Sequence, residues 1–376
     1  MARPIYTPVA LRDVGVTMSR AIADFGERMR TCGRLKLEPD RLFAVCKSYA
    51  NAPSIAIDTI LATREPSSVA HLMIGLGDYV YDGVSATSRI GIFLDRTATS
   101  GTCIRQDNVG TCDYHPWQTF AYAALAGVQP DIHIADSGAT MRTLAINSRR
   151  IVILGDKLYD LGHLLVGSAF LVPDQDILFH LNGERISLRK LTERLLSVHQ
   201  TNSRSTVCSD YHLTEGLVLA TTLVPGLQHL RAEVHELLDQ QLLTLSLLGV
   251  YLSKVAANKN DASREIDADD GIVQKPCQGV YCNHCGDVPH WIGHALELAA
   301  LAQIYGFDLT TEQLNTVAFV ANHASRFFMD GLFSADFSTI AHWRRALTLL
   351  LELERARNEN RSLATVDFAR YAVNLD

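Results

Sequence analysis

Residues 208–224 read CSDYHLTEGLVLATTLV, and residues 112–128 read CDYHPWQTFAYAALAGV. Each sets Asp-Tyr-His close behind a cysteine and just ahead of a long apolar run. The runs are apolar nearly all round at helical spacing, which is the pattern of a helix buried on every side. LLVGSAFLV (164–172) and ALELAALAQIYG (295–306) are of the same kind. These segments stop at Pro130, Pro173, Pro225-Gly226 and Gly306, residues that break or cap helices.

Between them lie segments with one polar face. Residues 11–32, 140–161, 186–200, 229–255 and 310–328 carry apolar residues at i, i+3, i+4 and i+7, and read as amphipathic helices. Strand signals are scarce. DILFHLNGERISL (176–188) looks like a small hairpin about Asn182-Gly183.

Buried helices alternating with amphipathic ones imply two layers. One histidine stands near the start of each buried segment: His71, His115, His163, His212, His294 and His342. The steps are close to 48 residues, the length of two helices and two turns, except between His212 and His294. That interval holds a polar, cysteine-bearing insertion, 256–289, whose removal restores the step. The expected fold is therefore all-α: an (α/α)6 toroid-like array of helical hairpins, one domain over 1–376, with 256–289 as an inserted loop. An irregular helical bundle is the alternative, and the chain before His71 fits the repeat least well.

Composition narrows the function. The chain is 47% hydrophobic and 20% charged, a globular balance, and its net charge of −7 with no long basic run speaks against nucleic acid. Residues 1–16 lack the apolar stretch of a signal peptide, and no apolar run suits a membrane span. Eight cysteines are too few for a disulfide scaffold. The expectation is a cytoplasmic protein without membrane or nucleic-acid partners, taking a small-molecule or peptide substrate. A homo-oligomer is compatible with everything in the sequence.

If the buried helices begin at one rim, their first turns share the mouth of a cavity. Asp113 and His115 open one, Asp160 and His163 the next, Asp210, His212 and Glu215 the third, and Asp287, His290, His294 and Glu297 the fourth. Each aspartate is also an ordinary N-cap and each glutamate an ordinary capping-box partner, but histidine is a poor cap. His-x-x-Glu occurs at His212/Glu215 and His294/Glu297, with a neutral version at His115/Gln118. Residues i and i+3 share a helix face, and His290 and His294, at i and i+4, can chelate one ion. The candidate catalytic residues are Asp113, His115, His163, Asp210, His212, Glu215 and Glu297. In CQGVYCNHCGDVPHWIGH (277–294) the candidate metal ligands are Cys277, Cys282, His284, Cys285, His290 and His294. Thiolates with imidazoles favour zinc over iron or manganese. The cysteine loop reads equally as a structural zinc site, as a catalytic metal or reactive thiol, or as unmetallated thiols.

Trp117, Trp291 and Trp343 near these histidines would make a partly apolar pocket or simply pack in the core. LELERARNENRSL (351–363) reads as a solvated, charged helix end. GxGxxG after a strand, GxxxxGK[ST], HExxH and GxSxG are all absent, so nicotinamide or ATP chemistry has no support. The inferred architecture is shared by glycosidases, polysaccharide lyases, lanthionine cyclases and terpene-converting enzymes, and selects no reaction. The Cys/His content is similar to the zinc site of lanthionine cyclases, but their Cys-His-Gly motif is not in this chain.

The expected function is metal-assisted hydrolysis, elimination or isomerisation of a small polar organic or peptide-like substrate at a His/Asp/Glu-lined cavity mouth. Glu215 or Glu297 would serve as acid or base where it is not a ligand. A metal-free acid/base or cysteine-dependent lyase or isomerase is the second reading. A helical-repeat protein-binding scaffold with structural zinc is the third.

Overall fold

The computed structural model describes residues 71, 74, 80–81, 84–85, 118–125, 130–131, 140, 142, 152–153, 161–171, 173, 178–181, 184–201, 207–257, 288–329 and 337–359. They are mostly helical, as an all-α chain requires. The helices are α1 Gln118–Leu125, α2 Leu161–Leu171, α3 Leu188–Thr201 and α4 Val207–Leu223. They continue with α5 Arg231–Ala257, α6 Val288–Ile304, α7 Thr311–Met329 and α8 Phe337–Asn358. Among the described residues no helix is long and apolar enough to cross a membrane.

Burial follows the contrast between the two kinds of segment. In α2, residues 161–169 are buried without interruption; so are residues 211–223 of α4, 290–303 of α6 and 341–354 of α8. In α5, by contrast, Val234, Leu237, Leu238, Leu242 and Leu245 are buried while Glu233, Glu236 and Asp239 face water. In α7, Leu314, Val317 and Ala318 turn inward and Glu312 and Asn315 outward. Each fully buried leucine contributes roughly 1.5–3 kcal/mol, so the all-buried helices form the core and the two-faced ones cover it.

The packing partners keep these layers apart. The buried helices neighbour one another in the order α1, α2, α4, α6, α8. The two-faced ones lie against them, α3 on α2 and α4, α5 on α4 and α6, and α7 on α5 and α6. Arg345 of α8 also reaches α1, donating through Nη1 to the carbonyl of Leu125 at 3.0 Å.

Two of these crossings depend on glycine. A Cβ at Gly162 of α2 would lie 2.6 Å from the amide nitrogen of Leu213 and 2.8 Å from the carbonyl oxygen of His212. A Cβ at Gly216 of α4 would lie 2.8 Å from the carbonyl oxygen of Gly162. The α2 and α4 backbones are thus in near contact. Where α6 meets α8, Gly293 faces Trp343 and the Cβ of His342.

The expected breakers end the helices. Gly306 takes φ 76° after α6; its amide bonds the carbonyl of Gln303 at 3.1 Å and that of Phe307 bonds Ala302 at 2.9 Å, a Schellman stop. Thr310 and Gln313 then exchange side chain-to-backbone bonds of 3.2 and 2.8 Å, the capping box that starts α7. Gly226, at φ 85°, follows α4.

Strands are few. β1 Val80–Tyr81 pairs antiparallel with β2 Val84–Ser85. β3 Val152–Ile153 runs parallel to β4 Leu178–Leu181, which is antiparallel to β5 Glu184–Ser187. The β4–β5 register, Leu181 opposite Glu184, is the hairpin expected about Asn182-Gly183. Within the helix expected over 140–161, β3 is a correction at Val152–Ile153: residues 151–153 are Ile-Val-Ile, a β-branched run that favours extended backbone over helix. The C-terminal expectation is also corrected. Glu352 is fully buried and paired with Arg355 at 2.6 Å, and Arg357 pairs with the buried Glu354 at 2.7 Å. These i,i+3 partners neutralise the charges, so α8 stays in the core to its last turn.

Of the inserted segment, 258–287 lies outside the described residues; α5 and α6 reach two residues into its two ends.

Candidate metal centre

The buried helices bring their histidines to one place. His163 on α2, His212 on α4, His290 and His294 on α6 and His342 on α8 are all at most 4% exposed, and His71 is 7% exposed. Ring centroids are 4.1 Å apart for His163 and His212, 4.6 Å for His212 and His294, and 3.8 Å for His294 and His342. His71 lies 5.4 Å from His342 and 5.1 Å from Tyr122 of α1. Five of the six histidines of the 48-residue series therefore meet. The sixth, His115, lies outside the described residues, as do Asp113, Cys277, Cys282, His284 and Cys285.

Within this cluster His212, His294 and His342 each offer a ring nitrogen, and the three nitrogens all lie within 4.8 Å of one another. Ligand atoms on a tetrahedral zinc stand about 3.4 Å apart, given Zn–N bonds of about 2.1 Å. His290 joins through His294, their Nε2 atoms 3.0 Å apart.

Carboxylates stand behind two of the rings. Glu215 Oε2 is 3.1 Å from His212 Nδ1, one helical turn along α4. Glu297 does not serve its own i−3 neighbour but reaches across to α8, its Oε2 2.8 Å from His342 Nδ1. Its other oxygen meets Arg345 Nε at 2.6 Å. A carboxylate accepts from Nδ1–H, which leaves the lone pair on Nε2. This carboxylate–imidazole arrangement orients metal-binding histidines and raises their basicity.

On the open side of both rings lies Tyr122. Its hydroxyl is 3.1 Å from His212 Nε2 and 3.3 Å from His342 Nε2, and Gln118 Nε2 donates to it at 3.4 Å.

Electrostatics favour neutral imidazoles here. Burial, reinforced by the surrounding histidines, holds His294 and His342 well below the ordinary imidazole range. Burial likewise pushes Glu215 up, Glu297 adding to the rise and Arg345 opposing it. Glu297 is raised by burial to about 7, with Arg345 pulling it back. A bound cation reverses that tendency and favours both carboxylates. Glu215 Oε1 and His294 Nδ1 are buried and have no hydrogen-bond partner among the described residues.

The remaining expected residues sit at the edge of this cluster. Asp210 is half-buried in the first turn of α4, which begins at Val207, so it is inside the helix and not its cap. Burial raises its carboxyl to about 7. Trp291 and Trp343 are core residues, Trp343 without any exposure. Two members of the cluster were not singled out from the sequence. Arg345 continues the i,i+3 pattern as His342-x-x-Arg345 inside an apolar helix, a legible signal. Tyr122 falls four residues after Gln118, on the same face, but reads as one more apolar position of α1.

The chain matches no protein-family model, and no curated protein or solved structure resembles it.

Proposed function

We propose that this chain is a metal-dependent enzyme built on an (α/α)6 toroid-like array, with a divalent ion held by His212, His294 and His342. The observation that carries the reading is the convergence of three buried imidazoles from three helices, two of them backed by buried glutamates. Such a set leaves a coordination position for water or substrate, the mark of catalytic rather than structural sites. Imidazole donors without thiolate suit zinc first, with iron or manganese next.

The order α1, α2, α4, α6, α8 and the contact of α8 with α1 support the array. His71, buried and in ring contact with residues of both α1 and α8, supports a sixth inner segment between them. The ion would polarise a carbonyl or activate water for hydrolysis, elimination or isomerisation of a small polar organic or peptide-like substrate. Glu215 and Glu297 would fix the tautomers of His212 and His342, leaving His163, its ring 4.1 Å from that of His212, and Asp210, two residues before His212 on α4, as candidates for proton transfer.

Metal analysis of protein purified without added metal tests this. About one equivalent of zinc is expected, lost in His212→Ala/His342→Ala with retained helical circular dichroism. Metal-free protein with unchanged melting in chelator would sink the reading.

A further inference from the structure

Two of the three proposed ligand rings have a carboxylate against their rear nitrogen. Glu215 meets Nδ1 of His212 and Glu297 meets Nδ1 of His342, so both rings offer Nε2 to an ion. His294 differs. By i,i+3 spacing Glu297 would serve it, but one Glu297 oxygen is engaged by His342 and the other by Arg345. What meets His294 is His290, one helical turn before it on α6, with the two Nε2 atoms 3.0 Å apart.

A hydrogen bond between two ring nitrogens needs one N–H and one lone pair. An imidazole that binds a metal is neutral and carries one of each. His294 is 1% exposed, and its Nδ1 has no hydrogen-bond partner among the described residues. If His290 donated, the N–H of His294 would sit on that Nδ1, a buried donor left unpaired, which is costly. If His294 donates, its N–H is satisfied by His290, and the atom left over is a lone pair. A buried lone pair on a ring whose centroid is 4.6 Å from that of His212 and 3.8 Å from that of His342 is well placed for the same cation. His290 is not one of the three residues whose nitrogens lie within 4.8 Å of one another.

We infer that His294 binds the ion through Nδ1 and that His290 is a positioning residue, not a ligand, which holds His294 in that tautomer. This rests on the metal reading above and assigns each ring its ligating atom: Nε2 of His212, Nε2 of His342 and Nδ1 of His294. Each ring then donates its other N–H to a buried acceptor, Glu215, Glu297 or His290, the support that metal-binding imidazoles usually have. The i,i+4 histidines of α6 therefore act in series and not as a chelate.

The test loads metal-free protein with one equivalent of an NMR-active cadmium isotope and records proton–cadmium correlations. A ring bound through Nε2 couples cadmium to both of its carbon-bound protons, and a ring bound through Nδ1 couples it to Hε1 alone. The wild type should show two rings of the first kind and one of the second, and the second kind should vanish in His294→Gln. His290→Leu should bind zinc about 10–100-fold more weakly than wild type. His290→Gln, whose amide oxygen accepts the same N–H, should keep the Hε1-only ring. Three rings coupled through both protons, a fourth coupled ring, an Hε1-only ring that persists in His294→Gln, or undiminished zinc affinity in His290→Leu each overturns the inference and leaves the metal reading standing. Failure of the wild type to bind either cadmium or zinc overturns both. The wild-type spectrum decides the ligating atoms even if the variants do not fold.

Discussion

Replacing Arg345 with Met separates the charge of this side chain from its bulk. Arg345 is 3% exposed, pairs with Glu297 at 2.6 Å and donates to the Leu125 carbonyl at 3.0 Å. The lost carbonyl bond leaves a buried acceptor and costs about 1–3 kcal/mol at any pH. The charge effect depends on pH. Glu297 is raised from 4.5 to about 7 with Arg345 in place, so in the wild type this group lowers stability as pH climbs from about 4.5 to about 7, and not further above that. Without Arg345 the folded carboxyl titrates higher still. The decline then continues past pH 7 at about 1.4 kcal/mol per pH unit. Between pH 7 and 8.5 the deficit of Arg345→Met relative to wild type should grow by about 2 kcal/mol. Arg345→Met/Glu297→Gln has no carboxyl to protonate, so its deficit should stay level across that range. Urea unfolding of metal-free protein, followed by circular dichroism in chelator, measures both. A deficit in the single variant that does not change between pH 7 and 8.5, or grows equally in the double variant, would refute the buried pair.

Gly162→Ala should destabilise by about 1–3 kcal/mol despite the better helix propensity of alanine, because the new Cβ meets α4 backbone at 2.6–2.8 Å, which cannot rotate aside. Thermal melting checks it, and a variant as stable as wild type would contradict the close α2–α4 crossing. Asp210, raised by burial from 3.8 to about 7, makes the metal-free fold less stable as pH rises through that window. Asp210→Asn should abolish that slope and be more stable than wild type at pH 8, by about 1–2 kcal/mol once partial exposure is allowed for; denaturant midpoints at pH 4 and pH 8 that differ as much in the variant as in the wild type would show another group responsible.

What the sequence revealed of this site, and what it hid, divides at the helix surface. Relations within one helix were legible, because a helix fixes them by spacing. The nearly all-round apolarity of 164–172 and 295–306 announced α2 and α6, and His212/Glu215 at i,i+3 is the hydrogen-bonded pair that spacing implies. Relations between helices were not. His294-x-x-Glu297 has the same spacing, yet Glu297 turns to His342, 45 residues away, because Gly293 lets α8 lie close against α6 at that level. Tyr122 and Arg345 were hidden for the opposite reasons that an aromatic reads as core and a cation as solvated face. Each departs from its usual setting only because the other helices deliver imidazole nitrogens to the phenol and a carboxylate to the guanidinium. β3 was missed because two residues of strand fall inside a segment whose longer apolar spacing is helical. A period shared by five histidines on four buried helices and the His71 segment predicted that they would meet. Which rings meet there depends on the glycine-permitted crossings, and those bring one nitrogen each of His212, His294 and His342 within 4.8 Å of one another.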